Sequence, residues 1–135
     1  MLGELSNAGT VVERGIVEAI RALALDSPVD VRVDAPDQMN LTLPVGAAIY
    51  FAVAELLANV AKTAPAASVI VRLRKRTNGV EVEVEDNGPG GAKIVPGGGL
   101  DGIRQRLASF DGTLALTSPV GGPTKFRLEV PCALL

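Results

Sequence analysis

Apolar residues recur along this chain at two spacings, and the switches between them outline its elements. From about Thr10 to Leu25, residues Val12, Ile16, Ala19, Ile20 and Leu23 fall three or four apart, the mark of an amphipathic helix. Thr10 is expected as its N-cap, with Glu13 three residues on, and Pro28 ends it. VDVRVD (29–34) alternates as a strand, and a loop with Pro36, Asp37 and Asn40 follows. The longest helix is predicted over about 44–63, with Thr42 or Leu43 near its cap and Pro44 in its first turn. Val45, Ile49, Ala52, Val53, Leu56 and Val60 form its buried stripe, and Glu55, Asn59 and Thr63 line up one turn apart beside it. Pro65 stops it.

Period two then returns as a hairpin. SVIVRLRKR (68–76) turns through Thr77-Asn78-Gly79 into VEVEVE (80–85). Val69, Val71 and Leu73 share one face with Val80, Val82 and Val84, while Arg72, Arg74 and Arg76 share the other with Glu81, Glu83 and Glu85. The facing glutamates make this basic run a solvated cross-strand charge ladder in preference to a nucleic-acid surface. Leu100, Ile103, Leu107 and Phe110 predict a short helix that Asp111-Gly112 breaks. TLALTS (113–118) and TKFRLEV (124–130) are two further strands joined through PVGGP. Most strands have one apolar and one polar face, so the chain is expected to fold as an α+β, two-layer α/β sandwich with helices on one side of the sheet.

Composition narrows this only slightly. The 135 residues suit one globular domain, 47% hydrophobic and 21% charged. A net charge of −2 and four aromatic residues argue against a nucleic-acid partner. The single cysteine, Cys132, allows no internal disulfide and fits a reducing compartment. No apolar run reads as the ~20 residues of a membrane span. With no histidine at all, histidine metal sites and histidine-dependent triads are excluded.

The glycines carry the chemistry. Gly88, Gly90, Gly91, Gly97, Gly98, Gly99 and Gly102, of 15 in the chain, lie between Glu85 and Ile103. A flexible linker is one reading. The other is an anion site, because the stretch starts with an acidic residue on a strand end and finishes at a helix N-terminus. Three pieces are candidates to converge there. Glu55 and Asn59 are either a helix-surface detail or a base and a hard oxygen ligand for Mg2+. Asp86 either caps an Asx-turn or accepts a hydrogen bond from an exocyclic amine such as that of adenine. Gly97-Gly98-Gly99 leading into Leu100 would cradle phosphate, although it matches neither GxGxxG nor a Walker loop.

In order and spacing, these pieces resemble the boxes of the GHKL, or Bergerat-fold, ATPases. AELLANVAKTAPAASVIV is similar to their N box, EDNGPGG to their first glycine box, and GGGLDGIRQRLASFDGTLALTS to the second with its helix. From about Val29 to Pro131 the chain most resembles the ATP-binding catalytic domain of bacterial sensor histidine kinases of the nitrate-sensor and desaturase-sensor subfamily. ERGIVEAIRALA resembles the stretch that joins the dimerisation helices to that domain. The resemblance implies a linker at 1–28 and the ATP-binding domain at 29–135, with a mixed, mostly antiparallel sheet. With no histidine to accept phosphate, the chain is expected to be either a fragment of a longer kinase, the favoured reading because its opening helix looks like a cut linker, or a partner supplied in trans.

The implied roles are specific. Asn59 would hold Mg2+, Glu55 would sit by the γ-phosphate, and Lys62 would lie close to the phosphates. Asp86 would take the adenine amine, with Gly88 and Gly90 shaping the base pocket and Thr124 beside it. Gly97, Gly99, Leu100 and Gly102 would meet the phosphates. The implied activity is transfer of the γ-phosphate of Mg-ATP to a histidine on a separate dimerisation domain, with a response regulator downstream. The expected setting is cytoplasmic with no membrane contact by this segment, whatever anchor the full-length protein carries. The alternatives are an anti-sigma-type serine kinase of the same fold and a non-catalytic regulatory module. The sequence departs from the pattern at Thr63, where histidine is usual, at Pro123, which replaces glycine, and in a very short lid over 91–96. These departures bear on how tightly a nucleotide is held rather than on the fold.

Overall fold

A computed structural model describes residues 15–131 and 133–134. Helix α1 covers Ile16–Asp26 and strand β1 Asp30–Asp34, followed by helix α2 over Leu43–Thr63. The hairpin strands are β2, Ser68–Lys75, and β3, Val80–Asp86. Helix α3 spans Gly99–Ala108, and strands β4 and β5 cover Thr113–Thr117 and Thr124–Val130. The five strands form one sheet in the order β1-β2-β3-β5-β4. Only β1 and β2 run parallel, and every other neighbouring pair is antiparallel. This is the α+β sandwich expected from the alternating strands, with the mixed, mostly antiparallel sheet that the resemblance implied.

The core lies between the valine face of the sheet and the apolar stripes of the helices. Val69, Val71, Val82, Ile49, Val53 and Ile20 have no exposed surface. α2 carries the largest share of that stripe, entering through Thr42 and Pro44 as the proline position predicts. It is also long and apolar enough to cross a membrane by length and composition (mean hydropathy 1.7), contrary to the expectation from the sequence. Its residues from Val45 to Val60 instead fill the centre of the sandwich, with 56% of the apolar window buried.

Several boundaries differ from the sequence expectation; β1 starts at Asp30, β2 ends at Lys75 and β4 at Thr117, each one residue short of the expected range. α1 begins at Ile16 because Gly15 sits at φ 87°, outside the helical region. The expected cap at Thr10 and its pairing with Glu13 lie outside the described residues. α3 ends at Ala108, and Phe110 packs half-buried against the core beyond it. β3 runs one residue further than expected, to Asp86.

The open face of the sheet bears the charge ladder. Arg72 pairs with Glu85 at 3.0 Å and Glu83 at 3.9 Å, and Arg76 pairs with Glu81 at 2.8 Å. Arg127 reaches Glu83 at 3.4 Å, and Lys125 lies 3.8 Å from the same carboxylate. The Arg76 hydrogen bond, helped by the Arg76 and Arg127 charges, holds the Glu81 carboxyl below its usual value. Arg72 of β2 and Arg76 just beyond it are therefore occupied by glutamates of β3, whereas Arg74 makes no ion pair among the described residues.

Candidate nucleotide site

The strand period itself delivers two polar residues to the inner face of the sheet. Val80, Val82 and Val84 point inward, so Asp86, next in the same row, does too, and it is 8% exposed. Its cross-strand partner is Thr124, which opens the inward row continued by Phe126, Leu128 and Val130 and is 6% exposed. Both side chains line a cavity of about 320 Å3 at this end of the sandwich. Leu56, Val60, Leu100 and Phe126 form its apolar walls, and Asn59 and Thr63 reach it from α2. Asn59, Asp86, Gly90, Leu100 and Thr124, expected to bind the nucleotide, are thus brought together on one cavity.

Asp86 combines the two roles weighed for it. One carboxylate oxygen accepts from the Gly88 N–H at 2.8 Å, closing the turn that leaves the sheet. The other makes no hydrogen bond among the described residues and is not a buried unpaired atom, so it is free to accept from a ligand. Asn87 accepts from the Ser68 N–H at 2.7 Å and ties the strand end to β2. A β-carbon on Gly88 would come within 3.0 Å of Ala64 at the end of α2, so Gly88 shapes the cavity from behind rather than lining it.

The base-side loop is locked to the β4–β5 connection. Gly90 adopts φ 73°, and a side chain there would meet the Pro119 carbonyl at 1.9 Å, which only glycine avoids. The Gly91 N–H donates to the Ser118 carbonyl at 3.0 Å, and the Ala92 N–H to the Ser118 hydroxyl at 2.9 Å. That hydroxyl also shares a hydrogen bond with the Thr124 hydroxyl at 2.7 Å. The Gly121 N–H donates to the Pro89 carbonyl at 2.7 Å. Ser118 therefore joins the lid to the cavity wall, a role invisible in the sequence because it depends on which loop packs against which.

The glycine run at the start of α3 is arranged differently. Gly97 adopts φ 79°, and its N–H donates to the Asp101 carboxylate at 2.9 Å. Gly98 is the N-cap residue, so the first N–H groups of the helix lack carbonyl partners within it. A side chain on Gly99 would lie 3.1 Å from the Glu55 carboxylate, which places Glu55 against this helix end. Glu55, Gly99, Gly102 and Arg106 line a second cavity of about 460 Å3, completed by Ala48, Phe51, Ala52 and neighbouring residues of α2. Along the Glu55–Asn59–Thr63 row of α2, Glu55 lines this second cavity while Asn59 and Thr63 line the first.

Lys62 and Gly97 line neither cavity, and Lys62 is exposed in the last turn of α2. Lys93, which motif spacing did not single out, stands on the wall of the first. Asp101 was missed too, although an acidic residue in the first turn of a helix is a recognisable signal. Among the described residues no three His, Cys, Asp or Glu side chains form a metal cluster. Mg2+ needs none, since it retains waters and takes one or two protein oxygens with the phosphates. The Asn59 side-chain amide makes no hydrogen bond among the described residues, so its oxygen fits that role.

Comparison with known proteins bears on the fold that carries this cavity. No curated protein matches the sequence. Among solved structures, the histidine kinase domain of the blue-light activated histidine kinase EL346 from Erythrobacter litoralis superposes with a TM-score of 0.70 at 21% identity. The match covers 87% of this chain and 59% of that one, so the chain spans less than two thirds of this neighbour. The histidine kinase AdeS from Acinetobacter baumannii gives a TM-score of 0.66 at 14% identity, covering 97% of this chain and 76% of that one. The histidine kinase domain of the E. coli osmosensor EnvZ gives 0.65 at 20% identity, covering 89% and 85%. At these identities the likeness establishes the fold. The family model describing histidine kinase-, DNA gyrase B- and HSP90-like ATPases matches residues 44–134, which include α2, the glycine stretch and the last strands. The chain belongs to this family of ATPases.

Proposed function

We propose that this chain is the ATP-binding catalytic domain of a two-component sensor histidine kinase, of the nitrate-sensor and desaturase-sensor type. The observation that carries the proposal is the convergence of Asp86, Thr124, Asn59 and Leu100 on one cavity that is apolar on its walls and polar at its ends.

Adenine enters between Leu56, Val60 and Phe126, and its amino group donates to the free oxygen of Asp86. The Thr124 hydroxyl, held by Ser118, borders the same pocket. The phosphates lie toward the N-terminus of α3, where unpaired N–H groups and the helix dipole favour negative charge. When bound through Asn59, Mg2+ would neutralise phosphate charge as transfer proceeds. Glu55, on the wall of the second cavity against the start of α3, would orient the incoming nucleophile or take its proton. Lys93 is the cation on the cavity wall and assumes the phosphate-side role expected of Lys62.

The chain has no histidine, so the acceptor histidine belongs to a separate dimerisation domain. A response regulator then takes the phosphoryl group, and the setting is cytoplasmic. Isothermal titration with Mg-ATP tests the nucleotide claim, and neither heat nor a thermal shift at millimolar ATP would sink it. Transfer of labelled γ-phosphate to a supplied dimerisation domain, with the acid and base stability of the product recorded, then separates phosphohistidine from phosphoserine.

A further inference from the structure

Asp101 is the one carboxylate of α3 and, at 4%, less exposed than any other carboxylate among the described residues. It occupies the third position of the helix and turns back over the helix start. One oxygen accepts from the Gly97 N–H at 2.9 Å and from the Gln105 amide at 3.0 Å. The other accepts from Nε of Arg104 at 2.9 Å and from a second nitrogen of the same guanidinium. The carboxylate is thereby saturated and its charge matched by Arg104, so it does not stand as an unpaired anion beside incoming phosphates. A helix cap alone would need none of this at Gly97. That residue lies outside the helix in a left-handed conformation, where a β-carbon would meet nothing within 4 Å, and the Gly98 N–H donating to the Val95 carbonyl at 2.9 Å closes the turn around it.

We infer that Asp101 is the positioning residue of the phosphate half of the site: by clasping Gly97 it fixes the Gly97-Gly98-Gly99 turn so that the N–H groups of Gly99 and Leu100 face the phosphates. This rests on the nucleotide reading above. Asp101 touches no phosphate itself. The Gly97 N–H is consumed internally, which leaves the first-turn amides of the helix as donors. A glycine run that would otherwise sample many conformations is held in one, so the ordering cost is met before the ligand arrives.

The test compares Asp101→Ala and Asp101→Asn with the unaltered protein by calorimetry, using Mg-ATP, Mg-ADP and adenosine. Asp101→Ala should weaken both phosphate-bearing ligands by about tenfold or more while adenosine changes less than about twofold, the loss expected when one charge-assisted anchor is removed. Asp101→Asn keeps an oxygen for the Gly97 N–H and should restore most of the ATP affinity. Equal losses for ATP and adenosine would mean a merely structural role and overturn the proposal, as would unchanged ATP affinity in Asp101→Ala. Amide hydrogen exchange at Gly97 supplies a readout that needs no nucleotide. Gly97 should be protected in the unaltered protein and in Asp101→Asn but not in Asp101→Ala, and equal protection in all three overturns the clasp. If the unaltered protein bound no ATP, the nucleotide reading would fall, and the exchange result would still decide whether the clasp exists.

Discussion

The two ends of the candidate site are built on opposite plans. At the base end, Asp86 and Thr124 project from adjacent strands of a rigid sheet, are almost wholly buried, and are cross-braced through Ser118 to a loop where a β-carbon on Gly90 cannot fit. At the phosphate end, Gly97 and Gly102 border open space, and one carboxylate, Asp101, holds the turn. Recognition of a flat, invariant base benefits from a preformed slot, because little ordering entropy is then lost on binding. On the proposed function, the phosphoryl group is handed to another domain, and that end must stay accessible. The contrast teaches that a single glycine-rich stretch serves two purposes, close approach of backbone at Gly90 and vacant volume at Gly102.

The largest effect should come from Gly90→Ala. The clash with the Pro119 carbonyl, added to a left-handed backbone, should cost roughly 2–4 kcal/mol in urea or thermal unfolding. A tolerated substitution would show that the base end is not rigid. Asp86→Asn comes next. Its amide oxygen can still close the turn to Gly88, but the cavity-facing group becomes a donor, so adenosine and ATP should both weaken about 10- to 100-fold by calorimetry. An unchanged fold by circular dichroism would confirm that only recognition was lost.

Gly102→Ala sharpens the contrast from the other side. Alanine meets nothing within 4 Å in the free protein, so the variant should be up to about 1 kcal/mol more stable. Mg-ATP should nevertheless bind less tightly, because the methyl group enters the vacant volume. Stabilisation with undiminished affinity would place the phosphates elsewhere.

Acid should separate the ends least. The Gly97 N–H, and after it Arg104, hold the Asp101 carboxyl below its ordinary range. A carboxylate depressed in the folded state contributes stability that is complete above its unfolded pKa and lost as pH falls through the folded value. The thermal midpoint should therefore drop slightly more steeply in acid for the unaltered protein than for Asp101→Asn. Parallel profiles would show that the clasp does not favour the ionised form.

Much of the fold was legible because burial imposes periodicity. The VEVEVE strand and its basic partner specified which faces meet, and Pro44 with the α2 stripe specified the core helix. The likeness of three spaced boxes then pointed to residues that the fold gathers on one cavity, including Asn59, Asp86 and Thr124. What remained hidden depended on contacts between distant segments. Ser118 looked like an ordinary strand end, and Asp101 like a helix-surface acid. The start of α1 was misplaced because Gly15, a single residue in a helical pattern, adopts a conformation that apolar spacing does not report. Lys62 had the right charge and the right neighbourhood along the chain, yet it lies exposed while Lys93 reaches the cavity wall.

The inward row of β3 has an evolutionary consequence. Asp86 reaches the cavity only because it stands an even number of residues after Val80, in a strand paired to β2 from Val69↔Asp86 to Lys75↔Val80. Losing or gaining one residue within β3 would turn the carboxylate to the charged face of the sheet and send a glutamate into the core. The stretch between Ala92 and Gly97 carries no such parity. Descendants of this sequence are thus free to lengthen the lid, whereas the six steps from Val80 to Asp86 can change in composition but not in number.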